Sequence, residues 1–229
     1  MRRSGSTLAF NLVRELLGVH FKNRAVETTY ADQEAADRFV ETALRTGSAF
    51  VLKTHESGVS VDRLIAQGCV KAIYTWRDPR DAVVSIMTFL KLGLAEAIDM
   101  VARSLRKFEE SWRAHCLTIC YPELYPLTPA LILKISSYLD IPCQQETTAT
   151  LARHYNIAAI QNLTRQPDNF VDELDFRVLD RRISRSQLWH EEHVQSGKNG
   201  LWKLYLNEYE IITITRNSNL AKYFIGACY

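Results

Sequence analysis

An apolar run, a lone arginine and a hydroxyl two helical turns further on make Val70–Ser85 (VKAIYTWRDPRDAVVS) the segment best suited to hold an anion. Tyr74 and Trp76 end the run, and Arg77 follows it directly. Asp78 can cap the next helix, Pro79 suits its first position, and Asp81 completes a capping-box-like pattern. Ser85 stands seven positions after the cap. At about 3.6 residues per turn, that spacing returns its hydroxyl to the face beside Arg77. One phosphate can then accept a guanidinium fork and a hydroxyl together. The plainer reading is a strand-to-helix junction whose Arg77 pairs with Asp78 or Asp81.

Three further segments carry chemistry. Arg3-Ser4-Gly5-Ser6-Thr7 is a small glycine-containing loop opening a helix, where backbone N–H groups and the helix dipole converge on a phosphate. Read alone, it is equally a Ser/Thr-rich helix cap. Lys53-Thr54-His55 follows the apolar stretch SAFVLKT, at the carboxyl end of a strand, where ligands bind in open α/β folds. Lys53 offers a fixed cation for charge growing on a leaving oxygen, and His55 a proton acceptor near neutral pH. A strand-end histidine that only satisfies a backbone carbonyl is the structural alternative. Gly197–Lys203 (GKNGLWK) is a basic loop with an aromatic inside it, which is also a common turn composition.

The elements that must position these groups alternate. Helical spacing covers Thr7–Leu17, Ala31–Arg45, Val61–Gln67, Pro79–Leu92, Ala95–His115, Pro129–Leu139 and Gln144–Ile160. Strands are expected at Ser48–Thr54, Val70–Trp76 and Leu117–Tyr121. Strand and helix in alternation predict an α/β fold, a parallel sheet covered by helices on both faces in three layers. Periodicity weakens after Ile141, and Phe176–His193 is charged and mixed.

Composition sets the outer limits. With 229 residues, 47% hydrophobic and 24% charged, the chain suits one domain spanning 1–229. A formal net charge of +2 gives no argument for a nucleic-acid partner, so any anion site is local. Five cysteines (Cys69, Cys116, Cys120, Cys143, Cys228) without CxxC pairs point to free thiols and a cytoplasmic setting. No run reaches the length of a membrane span and the start has no secretory h-region. His190-Glu191-Glu192-His193 spaces its histidines three apart and is not HExxH, so no metal is expected.

Taken in order, Arg3–Thr7, Lys53-Thr54-His55, Arg77–Asp81 with Ser85, and Gly197–Lys203 resemble the successive signature elements of sulfotransferases that use 3′-phosphoadenosine-5′-phosphosulfate (PAPS). The resemblance spans nearly the whole chain and implies the P-loop-NTPase-like sulfotransferase fold. It also implies a role for each element. Arg77 and Ser85 grip the 3′-phosphate, and Ser4, Gly5, Ser6 and Thr7 cradle the 5′-phosphosulfate beside Arg3. Lys53 contacts the transferring group and His55 is the base, with Glu56 second because some Golgi-type relatives use a glutamate. Tyr121 falls near the adenine. Gly197, Lys198, Gly200 and Trp202 close over the 3′-phosphate. The product is 3′-phosphoadenosine-5′-phosphate (PAP), the acceptor is a small molecule or glycan, and no metal takes part.

The sequence departs from that pattern in places. Gln195 and Ser196 stand where cytosolic eukaryotic members carry an Arg-Lys pair, and Leu8 replaces an aromatic that often stacks on the adenine. Only Met1, Arg2 and Arg3 precede Ser4, so the central strand from which the phosphate loop hangs has no residues here. An N-terminally shortened version of the fold, lacking its first central strand, is the expectation. Two other classes share these features: a nucleotide kinase, for which the GxxxxGK[ST] lysine is missing, and a nucleotide-binding remnant without catalysis. Arg177, Arg181, Arg182 and Arg185 form a basic cluster that either steers an anion or is a solvated helix face.

Overall fold

The computed structural model describes residues 1–22, 24–165, 171–175, 181–183, 187–189 and 197–224. Helix α1 (Ser6–His20) leads into β1 (Val26–Tyr30), followed by α2 (Gln33–Thr46), β2 (Ala49–Lys53), α3 (Val59–Ala66), β3 (Ala72–Trp76), α4 (Pro79–Leu90) and α5 (Leu94–Lys107). A single π turn, Phe108–Trp112, then enters β4 (Cys116–Cys120). Beyond it lie α6 (Tyr121–Leu124), α7 (Pro129–Tyr138), α8 (Gln145–His154), α9 (Ile157–Arg165), β5 (Val171–Asp175), β6 (Arg181–Ile183), α10 (Trp202–Tyr205) and α11 (Glu208–Arg216).

The fold is α/β with parallel pairing, as the alternation predicts. Among the described residues the strands form separate pairs: β1 with β2 and β3 with β4, both parallel, and β5 with β6, antiparallel. No strand precedes Ser4, and β2 and β3 are not hydrogen-bonded to one another.

Each face of β3 meets its own core, as strand alternation requires. Tyr74 joins one cluster with Val83, Val101 and Leu105, while Ile73 packs against the other, with Leu8, Leu12, Leu16 and Ile119. The leucines of α1 recur every fourth residue and are at most 1% exposed. Burying each contributes roughly 1.5–3 kcal/mol. On the opposite face Tyr74 stacks on Phe108, with ring centroids 4.1 Å apart, and the π turn holds that phenylalanine in place.

Four differences from the sequence expectations have local causes. Strand β1 was not expected, because VETTY is a short, partly exposed segment with little apolar content. The single helix expected over Gln144–Ile160 breaks at Tyr155-Asn156, since the Asn156 carboxamide accepts from Ala159 N at 2.9 Å and starts α9. Helix Ala95–His115 ends in the π turn instead of running on. Cysteine chemistry also differs: Cys69, Cys116 and Cys143 are free, but Cys120 is disulfide-bonded. The all-free-thiol argument for a cytoplasmic setting therefore falls. No helix among the described residues is long and apolar enough to cross a membrane.

Candidate active site

The glycine loop is fixed from below by β3. Ser4, fully buried, places its Oγ 2.9 Å from the Thr75 carbonyl oxygen, 2.6 Å from Thr75 Oγ1 and 2.5 Å from the Met1 carbonyl oxygen. The Met1 ammonium donates to the same Thr75 carbonyl at 3.0 Å. Arg3 adopts a left-handed φ of 59° and Gly5 one of 89°, which turns the chain sharply into α1. A side chain at Gly5 would also be blocked, because its Cβ would lie 2.5 Å from Leu124 Cδ1. Only glycine satisfies both constraints. The first turn of α1 carries no acidic residue, so its unpaired N–H groups and positive dipole end are left for an anion.

Arg77 is the hinge between this loop and the C-terminal segment. Its guanidinium lies 4.1 Å over the Tyr121 ring and is only 6% exposed. Nη2 donates to the Lys198 carbonyl at 2.9 Å and Nη1 to the Arg3 carbonyl at 3.5 Å. Its Nε has no hydrogen-bond partner, and the closest carboxylate oxygen, on Asp81, is 3.9 Å away. A buried guanidinium N–H left unbonded is costly, and an acceptor oxygen of a bound anion would satisfy it. The expected pairing of Ser85 with Arg77 is indirect: Arg3 Nε donates to Ser85 Oγ at 2.9 Å, while its guanidinium lies 3.9 Å over the Phe89 ring. Arg3, Arg77 and Ser85 are thus joined through Arg3.

Asp81 does something the capping-box reading did not anticipate. Asp78 and Pro79 cap α4 as expected, with Arg80 N donating to Asp78 Oδ1 at 2.9 Å. Asp81 instead reaches across to the C-terminal loop, accepting from Gly200 N at 2.7 Å and from Trp202 N at 3.0 Å. Arg80 forms a two-bond pair with Asp78 and lies 3.9 Å over the Trp202 ring. These contacts seat Gly197–Lys203 beside Arg77. Gly197 has a positive φ of 65°, and a Cβ there would collide with Ile157.

The exit of β2 is tied to the same loop. Lys53 Nζ donates to Thr7 Oγ1 at 2.7 Å, linking the strand end to the first turn of α1. Asp32, just past β1, gathers the following residues: His55 N at 2.7 Å, Glu56 N at 3.0 Å, Thr54 Oγ1 at 2.8 Å and Tyr30 Oη at 2.5 Å. Burial alone would raise the Asp32 pKa, but these hydrogen bonds hold it below the usual carboxylate value. The His55 ring meets Tyr30 edge-on at 5.7 Å. Burial first, then the charges of Lys53, Arg2, the chain terminus and Arg3, hold its pKa well below the ordinary 6.5. His55 is therefore neutral at pH 7 and able to take a proton. Glu56 is engaged with Gln33 Nε2 at 3.0 Å and Arg2 at 3.6 Å.

One connected set results. The glycine loop contacts Thr75, Ser85, Arg77 and Lys53, and Arg77 adds Tyr121 and the Lys198 backbone. Asp32 and Asp81 were missed because a single carboxylate following a strand or within a first helical turn looks like an ordinary cap. Gln195, Ser196 and the His190–His193 stretch lie outside the described residues, as do Arg177 and Arg185, while Arg181 and Arg182 fall on β6.

No family model matches the chain, and no curated protein matches it in sequence. Solved structures do match it in fold. The mouse sulfotransferase SULT7A1 complexed with PAP superposes with a TM-score of 0.60 at 16% identity, covering 96% of this chain and 84% of that one. A retinol dehydratase in complex with androsterone and the inactive cofactor PAP gives 0.60 at 18% identity, covering 96% and 78%. A retinol dehydratase complex with retinol and PAP gives 0.58 at 18%, covering 96% and 79%. The fold is that of the sulfotransferases.

Proposed function

We propose that residues 1–229 form one sulfotransferase domain that moves a sulfuryl group from PAPS to a hydroxyl or amine of a small-molecule or glycan acceptor. The observation that carries this reading is Arg77: a buried guanidinium, flanked by Tyr121 and the Gly197–Lys203 loop, with an unbonded Nε beside the glycine loop. The PAP complexes of proteins sharing the fold support a nucleotide with a 3′-phosphate as its partner. Androsterone and retinol in the retinol dehydratase complexes support a small hydroxylic acceptor.

In this scheme the acceptor oxygen or nitrogen attacks sulfur as the bond from sulfur to the 5′-phosphate oxygen breaks. Neutral His55 takes the acceptor proton. Lys53 and Arg3 stabilise the negative charge that collects on the leaving phosphate, and the N–H groups of Gly5, Ser6 and Thr7 orient it. Ser4 anchors the loop to β3 and Ser85 orients Arg3. Asp32 holds the His55 backbone, so it is a positioning residue. Arg77, Tyr121, Gly197, Lys198 and Gly200 hold the 3′-phosphate and adenine side.

The separate strand pairs favour one other reading, a PAP-binding relative without turnover. A titration decides between the classes: PAP, ADP and adenosine 5′-phosphate are compared by calorimetry, followed by a transfer assay with PAPS. Preference for PAP with turnover supports the enzyme, and the same preference without turnover supports the remnant. Preference for ADP overturns both.

A further inference from the structure

A cavity of about 410 Å³ lies between the backbone of residues 48–54, along β2, and that of residues 70–75, along β3. Its remaining walls include Phe10, Val13 and Leu17 of α1, Val61 and Ile65 of α3, and Trp112. Neither strand has a hydrogen-bonded neighbour on this side among the described residues, since β2 pairs with β1 and β3 with β4. The cavity is therefore a slot with apolar walls and two open strand edges. An apolar small molecule would fill the volume yet leave the edge N–H and C=O groups unsatisfied, and water would be held against apolar walls. Extended polypeptide meets both demands.

Residue 1 indicates how such a segment would run. Met1 is 7% exposed, sits in the core cluster of Tyr74 and Val83, and its nitrogen donates to the Thr75 carbonyl. In a parallel ladder, bonds from one strand recur every second residue. Extending backward from Met1, the N–H groups two and four positions earlier would face the carbonyls of Ile73 and Lys71. The nitrogen at residue 1 thus occupies the last rung of a ladder running along β3.

We infer that this slot accepts one extended apolar segment, parallel to β2 and β3 and continuous with residue 1, which joins the two strand pairs into one sheet. Five residues match the five-residue lengths of β2 and β3. Both faces of the segment must be apolar, because α1 covers one side and the Val61, Ile65 and Trp112 wall the other. This inference goes beyond the nucleotide reading and does not rest on it.

The experiment compares three proteins by hydrogen exchange: the chain as it stands, the chain with six Val/Ile-rich residues added before Met1, and the chain with six Gly/Ser residues added there. The Val/Ile-rich extension is expected to slow exchange at amides of both 49–53 and 72–76 by at least roughly tenfold relative to the Gly/Ser extension. The extended protein is expected to remain monomeric. Equal exchange in the two extended chains, protection of one strand only, or self-association of the Val/Ile-rich chain overturns the inference. If the unextended chain is insoluble, the two extended chains still decide it: soluble, protected protein from the Val/Ile-rich version alone supports the slot. Exchange is read without nucleotide, so a failure of PAP binding and a failure of the slot are separate results.

Discussion

At its carboxyl end β3 runs into a densely bonded corner, whereas along its edge toward β2 it opens onto a cavity. At the corner Arg77 bridges Arg3 and Lys198, Asp81 holds Gly200 and Trp202, and Tyr121 lies beneath the guanidinium. At the edge the only cross-link from the chain start is at Thr75, where the Met1 amine and the Ser4 hydroxyl meet it. Side chains from four distant segments can build an anion site without a continuous sheet behind it. What they cannot supply is the row of backbone partners that β2 and β3 leave open.

The largest effect separating the two regions is expected at His55. His55→Ala should lower sulfuryl transfer by about 10²–10⁴-fold while PAP affinity stays within about twofold of the original, measured by turnover and calorimetry side by side. Because burial and nearby cations keep His55 neutral, its rate profile should remain flat as pH falls through 6.5 and decline only below it. A transfer rate that already halves at pH 6.5 would show that His55 is not the base.

Asp81→Asn tests the corner next. Losing the charge-assisted bonds to Gly200 and Trp202 should weaken PAP binding by about tenfold and speed proteolysis within 197–203, with no change in exchange at β2. Ser4→Ala tests the tie between the regions. It leaves Thr75 Oγ1 without its buried partner and should reduce folding stability by about 1–3 kcal/mol in denaturant titration.

A smaller, pH-dependent effect belongs to the edge. Burial first, and then the charge of Arg2, push the Met1 amine down from 8.0 to about 4. Between those values the unfolded chain binds more protons than the folded one, so stability should rise from about pH 4 to 8 and level off above. Adding the Val/Ile-rich segment replaces the amine with an uncharged amide, and that contribution to the slope should disappear.

Much of the corner was legible in the sequence because its signals are local. A strand ending in Arg77, a proline-started helix and a Ser-Gly-Ser loop declare themselves within a few residues. The Asp81 bond to Gly200 spans 119 positions, and one carboxylate in a first helical turn carries no sign of a distant partner. Strand β1 was hidden for a different reason: its half-exposed residues lack the apolar run that marked β2 and β3. The placement of Ser85 was half right, since helical periodicity set its face but not that Arg3 would take the hydroxyl ahead of Arg77.

The account turns on Arg77 reading a 3′-phosphate, and one pair of titrations tests it: PAP and adenosine 5′-phosphate against the original chain and against Arg77→Met. The original chain should prefer PAP by at least about a hundredfold, and the variant should lose nearly all of that preference while binding adenosine 5′-phosphate about as before. A preference for PAP that survives in Arg77→Met would contradict the assignment.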